Sequence, residues 1–99
     1  MVLADPKRGE NTEALLYTPN GLVHILEPFF MPDQDGWLAW AQILVEGWVE
    51  KMPRWGITDR NIREVYMNEE GRMMGLPETQ VDGVSEPVCG NVLVYRRKA

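Results

Sequence analysis

The stretch Asp33–Met52, DQDGWLAWAQILVEGWVEKM, decides how the rest of the chain is read. Between Trp37 and Val45 only Gln42 is strongly polar. Trp37, Trp40, Ala41, Leu44 and Val45 recur at the helical period, and Leu38 and Ile43 widen the apolar stripe. The spacing predicts a helix. Asp33 or Asp35 is placed to cap its start, since a short carboxylate accepts from the first free backbone N–H groups. Gly47 is placed to end it, because glycine takes the left-handed conformation without a side-chain clash. Trp48–Met52 then predicts a short strand, stopped by Pro53. Burying each large apolar side chain contributes about 1.5–3 kcal/mol, so this helix must be covered by strands. The tryptophans read first as core. Trp37 and Trp40 are also the contact surface to expect if part of the helix meets another chain.

Upstream, Glu13–Glu27, EALLYTPNGLVHILE, predicts a hairpin closed by a two-residue turn at Asn20-Gly21. That turn sets Tyr17 opposite His24 and Leu16 opposite Ile25. Leu16, Val23 and Ile25 then share one face, and Leu15, Tyr17, His24 and Leu26 the other. Both faces are apolar enough to meet the helix. Pro28–Pro32, PFFMP, reads as a connector whose Phe29 and Phe30 close one end of the core.

Downstream, Pro53–Asn61, PRWGITDRN, is a loop with Trp55 beside Arg54. Trp55 either packs over the core or stands out as a recognition anchor. Ile62–Pro77, IREVYMNEEGRMMGLP, predicts a second hairpin turning at Asn68-Glu69-Glu70-Gly71. It would pair Asn68 with Arg72, Met67 with Met73 and Tyr66 with Met74. Glu78–Pro87 reads as a polar loop turning at Asp82-Gly83, and Val88–Arg96 as a central last strand. The whole predicts an α+β fold: a mostly antiparallel sheet of four to six short strands with one main helix on one face. The chain, 1–99, is expected to form a single domain, with 1–12 a flexible arm and 96–99 a basic tail.

The chain has 99 residues, a formal net charge of −5 and a quarter of its residues charged. Wrapping nucleic-acid phosphate needs a basic footprint, so direct nucleic-acid binding is not expected. A duplex-DNA mimic fits no better, since its Asp and Glu residues form no runs. Cys89 is the only cysteine, which fits a reducing, cytoplasmic compartment. No basic-then-apolar leader and no apolar run of spanning length is read, so neither secretion nor a membrane is expected.

NEEGRMMGLP at Asn68–Pro77, followed by GNVLV at Gly90–Val94, resembles a small domain seen in phage and plasmid-borne proteins, the domain-of-unknown-function family 3846. Members share an upstream Leu-Gln-x-Leu-Val-Gly-Gly-Tyr-Ile-Glu-like segment. AQILVEGWVE, Ala41–Glu50, is similar at Gln42, Leu44, Val45, Gly47 and Glu50, with Trp48 where tyrosine is usual and Val49 where isoleucine is usual. Glu78-Thr79-Gln80 departs from the Pro-x-Asn often found after Leu-Pro. The resemblance spans most of Ala14–Tyr95. It implies a mobile genetic element and its host's cytoplasm, and it brings no reaction and no catalytic residues.

The residues themselves supply no catalytic constellation. One histidine and one cysteine give no ligand spacing for a metal, and no cofactor is called for. A Cys89–His24 nucleophile pair would need an electropositive, partly exposed thiol, whereas Cys89 lies in an apolar strand. Glu46 and Glu50, with Glu64, Arg60 or Arg63, read as a surface salt-bridge group. No phosphate-cradling glycine loop is present, since Gly71 and Gly75 belong to the second hairpin. Two readings follow. In the first, the chain is a non-enzymatic accessory protein that docks on a host or phage protein, such as a host defence component, through Trp55, Glu69, Glu70 and Arg72. In the second, it binds a small nucleotide-like ligand where His24, Trp48, Arg63 and Tyr66 converge. A homodimer is expected if the helix carries more apolar surface than one sheet covers.

Overall fold

The computed structural model describes residues 11–98. Its strands are β1 (Thr12–Tyr17), β2 (Val23–Leu26), β3 (Val49–Lys51), β4 (Ile62–Asn68), β5 (Glu78–Thr79), β6 (Val88–Cys89) and β7 (Val92–Arg97). One α-helix, α1 (Trp37–Val45), and a 3-10 turn at Arg54–Gly56 complete the described elements. Five strands form an antiparallel sheet in the order β2-β1-β7-β4-β3, and β5 pairs with β6 in a second, two-stranded sheet. The fold is α+β, as the apolar periodicity requires. The expected flexible arm lies outside the described residues up to position 10, but Thr12 is buried in β1. The expected basic tail is also partly strand: β7 runs through Arg97, and Arg96 pairs with Asp59 at 3.5 Å.

β7 is apolar because it is central. Val92, Leu93, Val94 and Tyr95 are all buried, alternating between two cores on opposite faces of the sheet. On one face, Leu93 and Tyr95 join Ala14, Tyr66, Phe29 and Met31 beneath Ala41 and Val45 of α1. On the other, Val92 and Val94 join Leu15, Tyr17, Val65, Met52, Val81 and Val88. The expected last strand, Val88–Arg96, is broken because Gly90 takes φ +94 and turns the chain between β6 and β7. Thr79, read as loop, lies fully buried in β5, and its hydroxyl donates to the Gly90 carbonyl.

The first hairpin turns at Asn20-Gly21, but its register is one residue from the expected one. Tyr17 faces Val23, Leu16 faces His24 and Leu15 faces Ile25. Pro19 explains the shift. Its ring fixes φ near −65°, which suits the second position of a type I turn. Thr18–Gly21 forms that turn, with the Gly21 amide donating to the Thr18 carbonyl at 3.1 Å. Gly21 alone takes positive φ (+86), giving a three-residue loop closed by a bulge. A slip of one residue transfers every side chain of a strand to the other face. His24 and Leu26 therefore share the helix side with Ala14 and Leu16, and Val23 and Ile25 share the other side with Leu15 and Tyr17.

The second hairpin does not form. Asn68–Gly71 turns as expected, the Gly71 amide donating to the Asn68 carbonyl at 3.2 Å. The chain then continues in helical turns, with Met74 N–H on Glu70 O (2.9 Å) and Leu76 N–H on Gly71 O (3.0 Å). β4 takes β3 and β7 as its partners instead, Val65 facing Val94 and Tyr66 facing Leu93. Two things favour this outcome. Arg72-Met73-Met74 are good helix formers with no branched β-carbon, and β7 offers β4 a longer, more apolar partner. Gly71 is needed for space: a Cβ there would stand 2.3 Å from the Cys89 carbonyl oxygen.

Both expected caps of α1 also differ. Gly36, at φ +87, holds the N-terminal position without a side-chain bond, and Glu46 takes the left-handed C-terminal position at φ 64. Gly47 makes room for Asn68, since a Cβ there would lie 2.6 Å from the Asn68 Nδ2. That amide donates to the carbonyls of Val45 (3.2 Å) and Glu46 (3.3 Å), while its Oδ1 accepts from the Glu70 N–H (2.8 Å). Asn68 thus ties the end of the helix to the turn that follows β4.

Candidate functional site

Trp55 follows Pro53 in a 3-10 turn held by Gly56 N–H on Pro53 O (3.0 Å) and Ile57 N–H on Arg54 O (3.1 Å). The Arg54 guanidinium anchors this turn, donating to the Ile62 carbonyl at 2.7 Å. On the opposite side of the loop, Ser85 N–H donates to Gly56 O at 3.0 Å, and Ile57 bridges to Val84. The backbone is therefore fixed on both sides, yet the indole is 81% exposed. A tryptophan held out on an anchored turn is not packing over the core.

Beside it runs an open groove of about 240 Å³. β3 contributes Glu50 at one wall, and the turn after β4 contributes Glu69 and Arg72. Glu86 and Pro87 also line it, and Met52, Met67 and Val88, which belong to or pack on the core beneath, supply its apolar lining. The groove exists because the loop between β5 and β6 covers only part of the sheet's second face. Of the four expected docking residues, the fold brings Trp55, Glu69 and Arg72 to this one groove, although 14 positions separate Trp55 from Glu69 in sequence. Glu70 is exposed but lies outside its lining.

The four residues of the expected ligand pocket do not converge. His24 is on β2, at one edge of the sheet, and Tyr66 is on β4, three strand spacings away, or roughly 14 Å at 4.8 Å per spacing. Tyr66 is buried under α1, whereas Trp48 is 63% exposed. Arg63 lines a separate cleft with Lys51, Arg54 and Glu64. His24 faces Leu16 instead of Tyr17, and it stands on a different sheet from Cys89. The carboxylate group also divides: Glu64 pairs with Lys51 at 3.2 Å and accepts from the Tyr66 hydroxyl at 2.9 Å, and Glu50 lines the groove.

Under the helix, the aromatic side chains are mutually satisfied. Trp37 Nε1 donates to the Tyr95 hydroxyl at 2.8 Å, and that hydroxyl donates to the Phe30 carbonyl. Trp37 meets Tyr66 edge-on at 4.8 Å, and Phe30 meets Trp40 at 5.5 Å. Burial pushes both tyrosine hydroxyls well above the ordinary phenol range, and the Glu64 carboxylate raises Tyr66 further. They stay neutral and act structurally. Trp37 and Trp40 are thus largely core, while Leu38 and Ile43 stand out on the far side of the helix.

Sequence reasoning missed the groove wall at Val84–Cys89 and the role of Glu50. Val81 and Val84, flanking Asp82-Gly83, were the available signal: paired valines across a turn mark a segment that packs. Among the described residues no group of three His, Cys, Asp or Glu residues is placed to hold a metal ion. No described helix is long and apolar enough to cross a membrane. Comparison with family models, with curated proteins and with solved structures gives no match.

Proposed function

We propose that this chain is a small, non-enzymatic accessory protein of a phage or other mobile element, acting in the host cytoplasm by docking onto another protein. The observation that carries this reading is Trp55, held out at 81% exposure by a turn fixed through Arg54 and Gly56. Exposing a large indole forfeits burial worth about 1.5–3 kcal/mol to the fold. Tryptophan is among the residues most enriched at the centres of protein interfaces. The resemblance to domain-of-unknown-function family 3846 supplies the setting, and a host defence component is the target proposed.

Tagged protein incubated with host lysate is expected to retain a partner that Trp55→Ala does not retain. Equal recovery by both, or nothing above a denatured control, would count against docking through this face. Self-association belongs to the same proposal, since Ile43 is 77% exposed on the outer side of α1. Light scattering on the unvaried chain and on Ile43→Lys tests it: a dimer mass that the variant loses supports it, and a monomer mass for both removes it.

A further inference from the structure

The lining of the groove beside Trp55 carries three carboxylates, Glu50, Glu69 and Glu86, against one guanidinium, Arg72. Its apolar lining comes from Met52, Met67 and Val88. We infer that the groove takes an extended peptide segment of a partner protein bearing a lysine or arginine next to an apolar residue. The cation lies over the Trp55 indole among the carboxylates, and the apolar neighbour sits on the methionines. This rests on the docking reading above and names the chemistry of its partner.

Three features carry the inference. An indole is the aromatic face best suited to a cation, and Trp55 is the large aromatic of this lining. The three carboxylates of the lining raise the local concentration of a basic segment and repel an acidic one. Methionine is polarizable and unbranched, so the apolar lining adapts to different apolar side chains. Arg72 is the only guanidinium in the lining, so the carboxylates outnumber it three to one.

The neighbouring cleft sharpens the choice. Met52 and Pro53 line both hollows, so the two adjoin along the Trp55 turn. That second cleft holds Lys51, Arg54 and Arg63 against Glu64. Lys51 is paired with Glu64, and Arg54 donates to the carbonyls of Ile62 and Arg63. The charge therefore changes sign across the turn: the groove side carries the excess of carboxylates, whereas in the cleft the single carboxylate, Glu64, is paired with Lys51. A nucleic acid, repelled by three carboxylates, is disfavoured there.

The test is selection from a random displayed dodecapeptide library on the intact chain, with two variants as counter-selections. They are Trp55→Ala and the doubly reversed Glu69→Lys/Glu86→Lys, each checked by circular dichroism for an unchanged fold. Peptides pairing Lys or Arg with an apolar residue are expected to enrich. Their affinity should fall roughly five- to thirtyfold on Trp55→Ala, and fall further with added salt and on the double reversal. Enrichment of neutral or acidic peptides that still depends on Trp55 would overturn the charge assignment and leave docking standing. Peptides that bind the Trp55→Ala chain equally well would overturn both.

Discussion

The two faces of the central sheet bury similar strands and end in opposite states. Under α1, Trp37 closes on Tyr66 and Tyr95 and donates its N–H, so the aromatic surface is consumed within the fold. Across the sheet, Val81 and Val84 of the β5–β6 loop and Val88 of β6 pack on the core of β7 and β4, and Trp55 stays exposed. Four tryptophans in one small chain therefore do not share one role. Trp37 packs against the core and donates to the Tyr95 hydroxyl, whereas Trp55 is left 81% exposed.

The contrast breaks first in the helix-side core. Leu93 is fully buried at the centre of the sheet, and Leu93→Ala should lower the unfolding free energy by about 2–5 kcal/mol, measured by urea denaturation. A loss below 1 kcal/mol would mean that the helix side is not packed as described. Tyr95→Phe is milder. It removes the acceptor of the Trp37 N–H and the donor to Phe30, and leaving such a group unsatisfied costs about 1–3 kcal/mol.

Alkali probes the same cluster. Burial raises Tyr66 and Tyr95 above their unfolded values, so the folded chain holds those protons more tightly. The stability they contribute is complete below the unfolded phenol pKa, near 10, and is lost as pH rises from there towards the folded values. Phenolate absorbance should show Tyr66 and Tyr95 resisting ionisation until the chain unfolds, whereas their ionisation in the ordinary phenol range would contradict the burial.

Much of this was legible in the residues. The apolar period of Trp37–Val45 located the helix, and the apolar stretch Val88–Arg96 located the central strand, although Gly90 divides that stretch between β6 and β7. Turns at Asn20-Gly21, Asn68–Gly71 and Asp82-Gly83 fell where glycine stands with asparagine or aspartate. Local signals could not choose between competing partners. Pro19 altered the first turn by one residue and so inverted the faces of β2. After Gly71, the return strand was set by what β7 offered β4, a contact more than 20 residues distant in sequence. The same limit hid half of the site: Trp55, Glu69 and Arg72 were identifiable as exposed loop residues, but the wall at Glu86–Cys89 depended on where the β5–β6 loop folded. The pocket read from His24, Trp48, Arg63 and Tyr66 failed for the same reason, since strand order placed His24 at the far edge.

Trp55→Ala is the smallest effect expected and the most direct test of the claim that the Trp55 side chain is reserved for contact and not used for folding. In urea denaturation, the variant should unfold within about 0.5 kcal/mol of the unvaried chain. A loss approaching that of Leu93→Ala would show Trp55 to be part of what holds the molecule together, and the assignment of this face to a partner would be contradicted.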